Sequence, residues 1–358
     1  MRLQTTIGGA PEAELTLAPK TANDVADILR YATEKEMKVQ VWGGGTRQGY
    51  GLPPPPDIVL STEKLKEVEA WEPDDLTLVV GAGAKVAGLE AVLAERNQTA
   101  ALPEVPGDST IGGVIATGTS SLRRGRLYPI RDRVLEATAV TADGHVVRSG
   151  GRVVKNVTGY DLHRLHVGAF GSLGVVVSVC LKLWPVPPAA ATVTVADPAQ
   201  ASVLTRPLAV LEENNRTRVF VWGRPEEVEA KVRRLGGEAS EGHDWPADPA
   251  GDFRWSLRVP PALTSEAVAR LPRGWRYLAV HGVGDIRTAS DDAEGAAELR
   301  SWAESHRGHL VVVDSPPGAL GGFDPWGRPP PAVELQRRLI AQFDPARVIN
   351  PGRLAGGL

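Results

Sequence analysis

The stretch V-Q-V-W-G-G-G-T-R-Q-G-Y-G, from Val39 to Gly51, is the first place where residue types and spacing point to chemistry. An alternating apolar run, the signature of a strand, leads into Gly43, Gly44 and Gly45. Glycines let a backbone approach a ligand closely and turn its N–H groups onto an anion. Thr46, Arg47 and Gln48 follow, and Arg47 adds a fixed positive charge. A flexible strand-to-loop turn is the plain alternative. A second stretch, P-G-D-S-T-I-G-G, runs through Pro106, Gly107, Asp108, Ser109, Thr110, Gly112 and Gly113. Its hydroxyls and glycines suit a helix start whose dipole faces a phosphate, or simply a capped helix with a glycine-rich entry.

Two other phosphate signatures are absent. The G-A-G-A-K-V-A-G run from Gly81 spaces its glycines two residues too widely for a dinucleotide fingerprint, and Glu104 falls in a proline-bracketed loop. Neither glycine loop contains the Gly-Lys-Ser/Thr of a Walker motif. Cys180 is the single cysteine, so the chain by itself holds no disulfide, cysteine-zinc site or iron–sulfur cluster.

The elements that must position these loops are legible in part. Thr21 and Asp24 read as a capping box, and Val25, Ile28, Leu29 and Ala32 follow on one helical face. The strand Ile58–Leu60, a third from Asp75 to Val80, a helix from Val86 to Arg96 and a hairpin about Asp143-Gly144 come next. A long strand from Val175 to Trp184 closes this part. From Ala189 to Leu335, strands are expected at 192–195, 219–223, 253–259, 275–281 and 310–314, with helices near 201–214, 226–235, 265–271 and 292–306. That alternation implies an antiparallel sheet with helices on one face, a separate α+β domain.

With 358 residues, 42% hydrophobic and 23% charged, the chain has the composition of an ordinary globular protein of two or three domains. A net charge of −3 offers no basic footprint for nucleic acid. No run of about 18 apolar residues and no signal-peptide core are found, so a cytoplasmic location, peripheral at the inner membrane through partners if at all, is expected.

Taken with two further motifs, these loops resemble the FAD-binding domain of the vanillyl-alcohol-oxidase (PCMH) type. The further motifs are K-N-V-T-G-Y-D-L-H-R-L-H-V-G-A-F-G-S-L-G-V-V, from Lys155, and F-D-P-A-R-V-I-N-P-G-R-L, from Phe343 to Leu354. The resemblance covers the chain up to about Pro185 and again at its end. Within the family the chain is most similar to the smaller FAD-binding subunit of bacterial glycolate oxidase. It implies an α+β fold: a two-part FAD-binding domain, with a small βαβ lobe and a larger, mainly antiparallel lobe, plus an α+β cap. The expected boundaries are 1–187 for the FAD-binding domain, 188–335 for the cap and 336–358 for a tail returning to the first domain. The resemblance further implies that amides of Gly43, Gly44, Gly45, Thr46, Arg47 and Gln48 hold the pyrophosphate. Pro106, Gly107, Asp108, Ser109, Thr110, Gly112 and Gly113 would pass along pyrophosphate and flavin. Gly168, Gly171, Gly174 and Val175 would line the adenosine half, and Asn350 and Gly352 the isoalloxazine. Members with covalent flavin carry a histidine in the first loop. This chain has none before His145, so non-covalent FAD is expected.

The resemblance also implies a function: an FAD subunit of a 2-hydroxy-acid (glycolate) oxidase, with a larger FAD-binding catalytic subunit and an iron–sulfur subunit as partners. A stand-alone FAD-dependent oxidoreductase acting on a 2-hydroxy acid, alcohol or sugar is the alternative. Such chemistry needs a base for the hydroxyl proton and a cation for the carboxylate. Of the cap histidines His243, His281, His306 and His309, none forms an H-x-H pair, and no metal site is expected. His281, at a strand end before a glycine turn, is the catalytic candidate; a core histidine with satisfied hydrogen bonds is the alternative. Arg254, Arg258, Arg276 and Arg287 are candidates for gripping a carboxylate, or else a solvated strand face.

Overall fold

A computed structural model describes residues 5–152 and 159–358. The motif residues Lys155, Asn156, Val157 and Thr158 lie outside the described residues. The chain divides into two compact units. One comprises 1–121, 129–185 and 329–358; the other comprises 122–128 and 186–328. Sequence reasoning places the tail's return seven residues later, at 336, and does not assign 122–128 to the second unit.

The first unit has two lobes. In the smaller, a helix Ala22–Glu34 connects parallel strands, with Ile58–Ser61 between Leu15–Leu17 and Val39–Trp42. The helix begins where the sequence dictates: Thr21 accepts from the Asp24 amide at 3.1 Å, and Asp24 accepts in return from the Thr21 amide at 3.0 Å. Val25, Ile28, Leu29 and Ala32 are all buried on its inner face. Each large aliphatic side chain so buried contributes about 1.5–3 kcal/mol, which fixes the helix on the sheet. The C-terminal segment completes this lobe. Val39 donates to Val348 at 2.7 Å, Asn350 donates to the Val39 carbonyl at 2.8 Å, and Val348 and Ile349 enter the same core.

The larger lobe is an antiparallel sheet of five strands in the order 68–72, 77–81, 175–182, 134–140, 146–150. The first of these, Val68–Glu72, is missing from the sequence expectations because its residues are mostly exposed and break the alternation. Asp75 lies in the turn after it, so the next strand begins at Thr77. Gly81 and Gly83 pack against the carbonyls of Leu65 and Thr62, which accounts for these glycines without a nucleotide. A helix Val333–Phe343, also unforeseen, buries Ile340 beside Ala169, Leu173 and Leu358.

The second unit is an eight-stranded antiparallel sheet, in the order 238–241, 189–195, 216–223, 209–213, 276–280, 285–290, 253–258, 309–314. Three of these strands were not foreseen, and one corrects a predicted helix. Residues 201–214 form a short 3-10 turn, Pro198–Val203, and then the strand Ala209–Glu213. Pro207 blocks helix continuation, and a helix would forfeit the two neighbouring strands that Ala209–Glu213 pairs with. Trp255 and Trp275 stack at 5.2 Å within the core of this unit.

Candidate functional site

In the first unit, the ends of several elements converge on a cavity enclosing about 900 Å³ of space between atoms, partly open to solvent. It is lined by Gly43, Gly44, Gly45, Thr46, Arg47 and Gln48 from the first loop, and by Ser109, Thr110, Gly112 and Gly113 from the second. Gly171, Gly174, Val175 and Asn350 complete the predicted residues that line it. Five predicted residues do not: Pro106, Gly107, Asp108, Gly168 and Gly352. Each is placed by backbone contacts around the cavity. The Ser109 amide donates to Pro106 at 2.9 Å, shaping the turn that contains Gly107 and Asp108. Gly168 donates to Ile115 at 3.0 Å, and the Gly352 carbonyl accepts from Leu52 at 3.1 Å, closing the far end of the first loop.

The triple glycine has a different cause from the one its sequence suggests. Only Gly45 has a left-handed backbone, with φ of 73°. A Cβ on Gly44 would overlap the Asp108 carbonyl, and one on Gly43 would overlap the Thr110 hydroxyl. The two loops therefore pack backbone to backbone, and Thr46 and Ser109 join them through hydroxyls 2.9 Å apart. The amides of Gly44, Gly45 and Thr46 carry no hydrogen bond among the described residues.

The second loop behaves differently. The Ile111 and Gly112 amides donate to Ala84 and Ala82, and Thr110 caps the helix Ile111–Thr117 by accepting from Gly113 at 3.2 Å. The amides of that helix start are spent internally, so the capped-helix alternative describes it. The backbone donors left without a hydrogen bond among the described residues belong to the first loop.

One residue outside the predicted set, Arg353, holds that loop. Arg353, 4% exposed, donates to the carbonyls of Gln48 at 2.5 Å and Tyr50 at 3.0 Å, and to the Gln48 side chain. Burial lowers its guanidinium to about 10, still cationic at neutral pH. The signal for it was present in N-P-G-R. Asn350, by contrast, uses both side-chain ends within the protein. Its Oδ1 accepts from Val41 at 2.9 Å and its Nδ2 donates to Phe170 at 2.8 Å, tying the first loop's strand to the third motif. His166, inside the third motif but not among the predicted site residues, also lines the cavity. Burial, and secondarily His163, lowers its pKa to about 4, so its ring is neutral at physiological pH. Its Nδ1 is buried without a partner.

This donor set fits FAD. Free amides, Arg47 and Arg353 offer donors and positive charge to a pyrophosphate, and no Asp or Glu lines the cavity to repel it. Comparison with known proteins decides the matter: residues 13–150 match the family model described as FAD binding domain. Over those residues the chain is similar to that FAD-binding family. FAD is its cofactor, and the protein is a flavoprotein of an oxidoreductase family. The chain is 28% identical to glycolate oxidase subunit GlcE of Escherichia coli over 303 residues, 79% of this chain and 83% of that one. It is 36% identical to a D-lactate dehydrogenase of Archaeoglobus fulgidus over 179 residues, 49% of this chain and 40% of that protein. The chain thus spans less than half of that dehydrogenase. Alkyldihydroxyacetonephosphate synthase shares the fold, with a TM-score of 0.67 and 13% identity, covering 95% of this chain and 76% of that one.

In the second unit, the four arginines proposed to grip a carboxylate are engaged elsewhere. Arg254 pairs with Asp314, Arg258 with Asp285, Arg276 with Asp291 and Arg287 with Asp248. His306 Nδ1 lies 2.9 Å from the Trp302 carbonyl in the last turn of its helix, and His243 Nε2 lies 3.0 Å from the Val221 carbonyl. His281 is the exception among the cap histidines, because its Nε2 lies 2.7 Å from Glu212 Oε2. Among the described residues no group of three or more His, Cys, Asp or Glu is arranged to hold a metal ion. No helix among them is long and apolar enough to cross a membrane.

Proposed function

We propose that this chain is an FAD-binding subunit of an assembly that oxidises a 2-hydroxy acid, of the glycolate class, to the 2-oxo acid. What carries the reading is a first loop with unpartnered amides, braced by Arg353 and Asn350, in a chain that aligns with GlcE over most of both lengths. FAD, bound without a covalent link, supplies the two-electron acceptor. The protein's contribution in the first unit is to bind and orient: amides of Gly44, Gly45 and Thr46 hold the phosphates, while the neutral His166 and the glycines of the third motif line the cavity wall. A larger FAD subunit and an iron–sulfur subunit would take the electrons onward, because the lone Cys180 could not hold an iron–sulfur cluster in this chain. The expected location is cytoplasmic, with any membrane attachment made through those partners.

A second reading, a stand-alone FAD-dependent oxidoreductase, is favoured by the His281–Glu212 pair, an oriented base of the kind such oxidation needs. Anaerobic stopped-flow bleaching of the isolated chain by glycolate and D-lactate separates the two. The subunit reading predicts slow traces that quicken only with partner proteins. Fast reduction of the isolated chain that collapses in His281→Ala would establish the second reading instead. Acid precipitation should release yellow FAD to the supernatant; flavin kept in the pellet would refute non-covalent binding.

A further inference from the structure

His166 ends the 3-10 turn Leu162–His166, is 8% exposed, and lines the cavity of the first unit. Neither ring nitrogen forms a hydrogen bond with a described residue. Nδ1 is also sealed from solvent, so Nε2 is the nitrogen through which the ring can meet an occupant of the cavity. Burial keeps the ring neutral, with one donating and one accepting nitrogen. Orphaned buried N–H groups are rarer than orphaned acceptors, so the ring proton is assigned to Nε2. Burying a polar ring without a partner costs stability, and an occupant that supplies the partner offsets that cost.

The helix Ile111–Thr117 sets where along the cavity His166 stands. The first loop packs on the start of that helix, Gly43 against Thr110 and Thr46 against Ser109. The third motif packs on its end: the Gly168 and Phe170 amides donate to the carbonyls of Ile115 at 3.0 Å and Ala116 at 2.7 Å. A helix of 7 residues holds the two about 10 Å apart. His166 therefore belongs to the end of the cavity away from the open amides of Gly44, Gly45 and Thr46. Thr117 and Thr119 line the cavity at that same helix end. Thr117 gives its hydroxyl proton to the Gly113 carbonyl at 2.8 Å, so Thr119, 2.7 Å away, donates to Thr117 and keeps lone pairs free. A phosphate offers acceptors only and has no use for the Thr119 oxygen. The edge of a nitrogen heterocycle sets N–H groups beside carbonyls or ring nitrogens and can use both. Val114, Ala116 and Val176 give the same cavity an apolar lining for a planar ring.

We propose that His166 and Thr119 hydrogen-bond a ring edge of FAD, on the isoalloxazine or the adenine, and take no part in holding its phosphates. His166 Nε2 donates and Thr119 Oγ1 accepts. Only FAD as the occupant is carried over from the cofactor reading; the choice of substrate plays no part.

The test is calorimetric titration of the flavin-stripped full chain with FAD, FMN, ADP and inorganic pyrophosphate. His166→Phe, which keeps a buried ring of similar size, should weaken FAD about tenfold, and Thr119→Val about threefold. His166→Gln restores a donor and should recover most of the loss. Either FMN or ADP should lose the same factor in His166→Phe: loss with FMN marks the isoalloxazine as the ring contacted, loss with ADP the adenine. Pyrophosphate should bind His166→Phe and wild type alike. Unchanged FAD affinity in His166→Phe would overturn the contact. So would a loss that pyrophosphate shares, because that marks a disturbed first loop instead of a missing ring contact. A wild-type chain that takes up no FAD would overturn the cofactor reading itself.

Discussion

The cavity of the first unit and the Glu212–His281 contact of the second are built from different materials. In the first, the main chain does the binding: unpartnered amides of Gly44, Gly45 and Thr46 form the donor surface, and side chains such as Arg353 and Asn350 act behind it as ties. In the second unit the notable contact is between side chains, Glu212 and His281, and strand pairing brings the two together. A backbone site demands residues that lack a side chain, and a demand of that kind is written in the sequence. A side-chain contact of this kind demands a register, which no short stretch of sequence contains.

The largest effect should come from breaking the backbone site at its closest approach. Gly44→Val puts a branched side chain into the Asp108 carbonyl, and FAD affinity should fall by roughly 100-fold or more, about 3 kcal/mol. Fluorescence titration of the apoprotein would read this, and unchanged affinity would show that the two loops need not touch. Asn350→Ala tests the ties. It strands the Val41 amide and the Phe170 carbonyl, at a cost of about 2–4 kcal/mol, which a calorimetric melt should register as a drop of several degrees. Equal stability would mean that the tail is not integral to the first unit.

Acid should act on the first cavity through His166. Its folded pKa of about 4 lies below the ordinary histidine value of 6.5, so the unfolded chain takes up the proton first as pH falls. Its contribution is fully present above pH 6.5 and is lost progressively down to about pH 4, on the order of 3 kcal/mol in all. Burial also lowers His163, His243 and His309, with the same sign. His166→Phe should therefore flatten the stability–pH curve over that window only in part; an unaltered curve would mean that the His166 ring is protonated freely in the fold. The smallest effect is expected from Gly107→Ala. A Cβ there meets nothing within 4 Å and the backbone is not left-handed, so FAD affinity should stay within about twofold. A large loss would return this residue to the cofactor site, where the motif had placed it.

What the sequence alone determined was local or backbone-borne. The capping box at Thr21 and Asp24, the buried stripe of the first helix and the glycine loops follow from periodicity and from the missing Cβ, and each is visible within a dozen residues. The flavin family was legible for the same reason. The tertiary structure alone decided which atoms are free. It spent the first-turn amides of the helix Ile111–Thr117 on Ala82, Ala84 and the Thr110 cap, and it left those of Gly44, Gly45 and Thr46 open. It turned residues 209–213 from an expected helix into a strand, because pairing on both edges outweighs a weak helical pattern interrupted by Pro207. That strand delivers Glu212 to His281 across 69 positions of sequence. Strand pairing joins residues by register rather than by spacing, so a contact of this kind exists only once the sheet has formed.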